Sequence, residues 1–233
     1  MTVPRSIDRI LSDQIGLWSL QQREGVARRS YRPIITISRT YGARGAELAR
    51  ILGERLDFSV WDREIVHAIA EKRGEDKRLL ETLDEHRRSQ VDETVRSLVL
   101  GTSATNAGYL KSLLRVVRTI SQHGSAIIVG RGANFAVSSE RALRVRVDAP
   151  LEWRTAGLAH RFGWSLDKAR REAVRMDAER DDFVRHSFRS DPKQPAHYDL
   201  VLNPEYLSME QIADIVEAAY EARFSPVKTL EFA

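Results

Sequence analysis

The sequence predicts an α/β fold, with a mostly parallel five-stranded sheet as the middle of three layers. Two observations carry this. Short apolar, β-branched runs recur at 34–38, 57–61, 125–129, 143–147 and 198–202, and stretches of helical period separate them. The first four runs end where Gly, Arg or Asp collect: 38–45, Asp62, 130–132 and 148–150. In parallel sheets, ligands bind beyond the carboxyl ends of the strands.

Composition sets the outer limits. The chain has 233 residues, 42% of them hydrophobic and 30% charged, enough for a sizeable core under a charged surface. No apolar run of about 18 residues predicts a membrane span. The N-terminus lacks an uninterrupted apolar stretch, so a cytoplasmic location is expected. There are no cysteines, which excludes disulfides, thiolate–zinc sites and cysteine nucleophiles. The net charge of +4 is mild, and the arginines between 141 and 189 alternate with acids, which favours phosphate chemistry over nucleic-acid binding.

Taken in order, residues 1–30 read as an added helix. Ile7, Ile10, Leu11, Ile15 and Trp18 fall at helical spacing, for packing on the domain or against a second subunit in a homo-oligomer. Ile34-Ile35-Thr36-Ile37 is a buried parallel strand. A loop with Gly42 and Gly45 follows, then a helix with Leu48, Ile51, Leu52 and Leu56 on one face. A short second strand ends at Asp62, and helix 63–73 follows.

Residues 74–124 carry no β signal and read as a helical insertion. Leu79, Leu80 and Leu83 are expected in a charged helix running toward Arg88, 101–108 in a flexible loop, and 109–123 in a further helix. The third strand stops at Gly130-Arg131-Gly132. The fourth, Leu143-Arg144-Val145-Arg146-Val147, alternates, which suggests a place nearer the sheet edge or arginines snorkelling outward. Helices 151–162 and 166–189 follow, the second capped by Ser165; Ser208 caps a last helix.

Strand, small-residue loop and helix at 33–51 form the layout that cradles a phosphate with backbone N–H groups. A Walker A loop reads G-x-x-x-x-G-K-[ST]; this loop has neither the lysine nor the hydroxyl, and Glu47 stands near their place. The loop is either a phosphate cradle in which Arg39 or Arg44 supplies the cation, or an ordinary strand–helix turn. Asp62 either caps the following helix or serves a ligand. Arg131, a guanidinium fork between two glycines at a strand end, suits a phosphate. Helix 166–189 reads as a solvated charged face except at Arg180, which shares a stripe with Ala169, Ala173, Met176 and Phe183 and has Asp177 three residues before it. The six histidines show no metal-ligand spacing and read as surface or helix-end residues.

The stretches ITISRTYGARGAELARILGERL, VWDREIV, IIVGRGANFAV, VDAPLEWR, VRMDAERDDF and HYDLVLNPEYLSMEQI, in this order, resemble the cytidylate kinase-like family. The resemblance implies a P-loop NTPase-like domain over 31–223, with an acceptor-binding helical insertion at 74–124 and a lid-like segment at 163–195. The extension 1–30 and a tail at 224–233 flank it. It also implies transfer of the γ-phosphoryl group of ATP, with Mg²⁺, to CMP, dCMP or a similar nucleotide. By the same resemblance, Arg39, Gly42, Ala43, Arg44, Gly45, Ala46 and Glu47 would hold ATP. Asp62, Arg131 and Arg154 would hold the acceptor, and Arg131, Arg175, Asp177 and Arg180 would serve the transfer. The family tends toward Gly-Ser-Gly-Gly-Arg where this chain has Gly42-Ala43-Arg44-Gly45-Ala46, and true cytidylate kinases have an acid where Gly132 stands. These departures raise an alternative: a catalytically weakened nucleotide-binding regulatory protein.

Overall fold

The computed structural model describes residues 32–72, 74–99 and 104–224, together with 9, 12–16 and 18 of the N-terminal segment. Five strands are present: β1 (Ile34–Arg39), β2 (Ser59–Trp61), β3 (Ala126–Val129), β4 (Ala142–Val147) and β5 (Leu200–Leu202). They form one sheet in the order β2-β3-β1-β4-β5, and every pairing is parallel. Helices α1 (Gly45–Leu56), α2 (Arg63–Glu71), α3 (Glu75–Leu80), α4 (Glu85–Val99), α5 (Ala104–His123), α6 (Ala133–Ala136), α7 (Leu151–Phe162), α8 (Leu166–Phe188) and α9 (Met209–Phe224) connect or cover them.

Strand residues point alternately to the two faces, and the two main cores follow that alternation. Ile34, Ala126, Ile128 and Ala142 face one core with α2, α3 and α5. Ile35, Ile37, Ile127, Val129, Leu143 and Val145 face the other with α1 and α9. A parallel sheet covered on both sides needs such two-sided apolar strands. Leu48 and Leu52 of α1 are fully buried, each contributing about 1.5–3 kcal/mol of transfer free energy.

β4 is paired on both sides, to β1 and to the edge strand β5, so it lies next to the sheet edge, as its alternation suggests. Its arginines do not snorkel outward. Arg144 donates to both carboxylate oxygens of Asp199, and Arg146, 7% exposed, donates to Asp148 and to the Pro192 carbonyl. The alternation reflects one sheet face on which part-buried ion pairs replace apolar side chains.

The helical region before β3 is also divided differently. The helix expected to run through Leu83 toward Arg88 breaks at 81–84, where the Asp84 carboxylate accepts from the Arg87 N–H and starts α4. The expected loop 101–108 is helical from Ala104, and Gly108 lies inside α5. One glycine costs a helix about 1 kcal/mol, and the buried row Leu110, Leu113, Leu114, Val117 and Ile120 outweighs it. Ser165 and Ser208 cap α8 and α9: each hydroxyl accepts an N–H three residues on, and Gln211 returns a bond to the Ser208 N–H. Among the described residues no helix is long and apolar enough to cross a membrane.

Of the predicted N-terminal stripe, Ile15 and Trp18 are buried in the first core; Ile7, Ile10 and Leu11 lie outside the described residues, as does the tail beyond Phe224. The Trp18 ring stacks on His123 at 3.8 Å and on Trp61 at 5.6 Å. His123, the last residue of α5, is therefore a helix-end histidine but not a surface one. Its Nε2 lies 2.7 Å from the Thr82 hydroxyl, which itself donates to the Leu79 carbonyl. Burial first, and then Arg87, pushes the imidazole from its ordinary 6.5 down to about 3.

Between those two values the unfolded chain binds a proton that the folded chain does not, so this contribution to stability is present above pH 6.5 and is lost as pH falls. His123→Gln is expected to flatten the loss of stability between pH 6.5 and 4.5 by roughly 1 kcal/mol per pH unit. Denaturant melts of both proteins across that range check it; parallel curves would refute the assignment.

Candidate functional site

At the carboxyl ends of β1, β3 and β4 lies a cavity of about 270 Å³, lined among others by Ser38, Arg39, Arg63, Arg131, Asn134 and Arg180. Backbone conformation places most of these. Arg39 is the last residue of β1. Gly130, at φ 79°, follows β3, and a Cβ there would sit 2.1 Å from Arg39 Nη1. Only glycine lets that guanidinium lie across the end of β3. Gly132, at φ 65°, meets the Phe188 ring at 2.2 Å in the same way. Arg131 between them is itself left-handed, at φ 55°, a conformation that costs a non-glycine residue about 1 kcal/mol or more. Arg63 opens α2. Arg180 reaches in from α8, donating to the Arg39 carbonyl at 3.1 Å with its guanidinium 5.2 Å from the Tyr41 ring centre.

Cations crowd this cavity, although Asp177, Glu179 and Asp181 also border it. Among the described residues, Arg39, Arg63, Arg131 and Arg180 have no carboxylate within ion-pair distance. Burial first, then Arg180 and Arg63, pushes Arg39 down to about 9. Burial is also the leading cause that lowers Arg131 and Arg180. Among the described residues, the Nε atoms of Arg131 and Arg180 and the Nδ2 of Asn134 are buried without a hydrogen-bond partner. Each buried, unsatisfied donor costs about 1–3 kcal/mol. A site of clustered cations and idle donors complements an anion with several oxygens.

The loop after β1 is held from behind. Asp177 of α8 accepts from the Tyr41 N–H at 2.7 Å through one oxygen and from Arg154 Nη1 at 2.8 Å through the other. Arg154, 6% exposed, also donates to the Tyr41 and Ala149 carbonyls, each at 2.8 Å. The sequence places Asp177 within reach of Arg180, and Arg154 with the acceptor. Instead the carboxylate pairs with Arg154, and both groups serve to fix the loop. Gly42 packs on Leu158 and Arg154, Gly45 packs on Arg39, and Ala43 is buried. Arg44 lies in an exposed bidentate pair with Glu47, at 2.8 and 2.6 Å, so its charge is neutralised locally. Residues 42–47 do not line this cavity.

A second cavity, about 1240 Å³, opens on the far side of Arg131 and Phe183, which line both. His67, Glu71, Tyr109, Ser112 and His186 border it, and His67 Nδ1 lies 3.0 Å from the Tyr109 hydroxyl. Asp62 borders neither cavity; its carboxylate caps α2 by accepting from the Ile65 N–H at 2.9 Å. Arg175 also lies apart, exposed and paired with Glu172 and Glu179. Ser38, Arg63 and Asn134 escape the sequence reading. Arg63 had a signal, since it follows Asp62 at a strand end; Asn134 had none. Among the described residues no group of three His, Asp or Glu side chains is arranged to hold a metal ion.

If Asp177 fixes the loop, Asp177→Ala is expected to destabilise the fold by about 3 kcal/mol, because it strands the buried Arg154, and to speed hydrogen exchange at the Tyr41 amide. Denaturant melts and exchange mass spectrometry check both; unchanged Tyr41 exchange would refute the latch.

The sequence pattern of the cytidylate kinase-like family matches residues 34–206. A cytidylate kinase from Methanopyrus kandleri is 26% identical over 200 residues, covering 81% of this chain and 93% of that protein. Among solved structures, an uncharacterised protein from Eubacterium ventriosum superposes with a TM-score of 0.67 at 17% identity, covering 82% of this chain and 99% of that one. A shikimate kinase from Bacteroides thetaiotaomicron gives a TM-score of 0.47 at 12% identity, covering 81% and 98%. With the family pattern spanning most of the chain and all five strands, the protein belongs to the cytidylate kinase-like family.

Proposed function

We propose that the chain is a nucleotide kinase that transfers the γ-phosphoryl group of ATP to CMP, dCMP or a similar acceptor. The observation that carries this reading is the convergence of Arg39, Arg63, Arg131 and Arg180, none paired with a carboxylate, at the strand ends beside the β1–α1 loop. Phosphoryl transfer asks for little covalent chemistry from the protein. It asks for in-line placement and for cations where charge accumulates. On this reading Arg131 stands between the acceptor's phosphate, in the small cavity, and its body, in the large one. Arg39 and Arg180 take over the charge that a Walker lysine would supply. Mg²⁺, if it came bound to the nucleotide, would supply further charge neutralisation and would need few protein ligands.

One observation favours the second reading, a nucleotide-binding regulatory protein with weakened catalysis. Arg44 is already paired with Glu47, and residues 42–47 border neither cavity, so the donor side carries less free charge than the acceptor side.

Incubation of the purified protein with ATP-Mg²⁺ and CMP, dCMP, UMP or AMP separates the two, with calorimetry on the same nucleotides. ADP formation with any acceptor supports the kinase. Saturable binding without transfer supports the regulator, and no binding sinks both. For the kinase, Arg131→Ala is expected to lower kcat/KM at least ~10²-fold. Arg175→Ala, on the exposed face, is expected to stay within about twofold.

A further inference from the structure

Asn134 sits in the small turn α6, 5% exposed, with its amide against the cation-lined cavity. Its Oδ1 accepts from the Ser38 hydroxyl at 3.1 Å, which fixes the plane of the amide. Its Nδ2 is left buried with no partner. Buried donors without partners are rare enough that each calls for an explanation.

The rest of the wall offers Nδ2 no spare carboxylate. Of the acids that border the cavity, Asp177 is bound to Tyr41 and Arg154. Asp181 pairs with Lys193 at 3.3 Å, and Glu179 pairs with Arg175. What remains facing the space includes Arg39, Arg63, Arg131 and Arg180, with two idle polar groups, the Asn134 amide and the Thr40 hydroxyl. The space, about 270 Å³, equals roughly nine water volumes and accepts a tetrahedral oxyanion.

We infer that Asn134 contacts the ligand directly, its Nδ2 donating to an oxygen of a phosphoryl group held in this cavity, and that it makes the cavity selective for anions. An aspartate here would have the same shape but would neutralise the arginines and close the site to anions. A neutral amide leaves the positive charge for the ligand and adds a directional donor. Ser38 is the positioning residue: it holds Oδ1 so that Nδ2 faces inward. The assignment rests on the cavity being a phosphate site, as in the reading above, and does not require turnover.

The test is calorimetry with inorganic phosphate, CMP and cytidine on the wild type, Asn134→Ala, Asn134→Asp and Ser38→Ala. Asn134→Ala is expected to weaken phosphate and CMP about tenfold, the scale of one hydrogen bond to a charged group. Asn134→Asp is expected to abolish binding of both anions while melting at or above the wild-type temperature. Ser38→Ala, which frees the amide to rotate, is expected to weaken both anions less than Asn134→Ala does. Cytidine binding, where measurable, stays the same in all four proteins. Equal phosphate and CMP affinities in wild type and Asn134→Ala, or retained affinity in Asn134→Asp, would overturn the inference, as would a wild type that binds neither anion. The two readings fail separately. A protein without kinase turnover that still shows these losses keeps the Asn134 assignment. A working kinase whose KM for CMP is unmoved by Asn134→Ala loses it.

Discussion

The Asp177 carboxylate ties together three pieces of chain that are far apart in sequence. One oxygen holds the backbone of the β1–α1 loop and the other holds Arg154 of α7, while Asp177 itself belongs to α8. The loop thus takes its shape from a helix that begins more than a hundred residues later. Because α8 is moored at Asp177, Arg180 lies one turn further along over Tyr41 and reaches the Arg39 carbonyl. The cation cluster depends on that mooring as much as on its own side chains.

The cluster is costly to build. Its guanidiniums repel one another, lie partly out of water and leave donors idle. Elsewhere the described chain pairs its arginines freely, as at Arg144 with Asp199 and Arg115 with Asp76 and Asp92. Arg88 and Arg118 also keep a buried Nε without a partner, but among the described residues only the strand ends gather four guanidiniums without a carboxylate partner around one cavity, which concentrates electrostatic strain where a ligand can relieve it.

The sheet, its parallel sense and the helical layers were legible because strand runs and helical periods are local signals. Arg131 and Arg180 stood out for local reasons as well: one lies between glycines at a strand end, the other on an apolar stripe. Partner choice was not legible. Whether Asp177 meets Arg180 on its own helix or Arg154 on another depends on how α7 and α8 pack. Arg44 and Glu47 cancel each other because Arg44 adopts a left-handed backbone that folds its side chain onto α1. Asn134 left no trace, since an asparagine in one helical turn carries no period, and its meaning comes only from Ser38 and the arginines around it. In β4 the alternation did not say whether the arginines would be solvated, because a part-buried ion pair and a solvated charge read alike in sequence.

Three consecutive residues, Gly130, Arg131 and Gly132, share a left-handed backbone. Their identities answer to two different demands. The glycines are favoured by their left-handed backbone and by the Arg39 and Phe188 side chains that occupy the space of their missing Cβ atoms. Divergence among proteins built on this frame therefore has little freedom at 130 and 132. A lineage that changed its ligand would have to do so at the side chains that face the cavity from other elements, at 38, 63, 134 and 180. Homologues that keep the glycine pair while varying at those four positions would share an architecture without sharing a substrate.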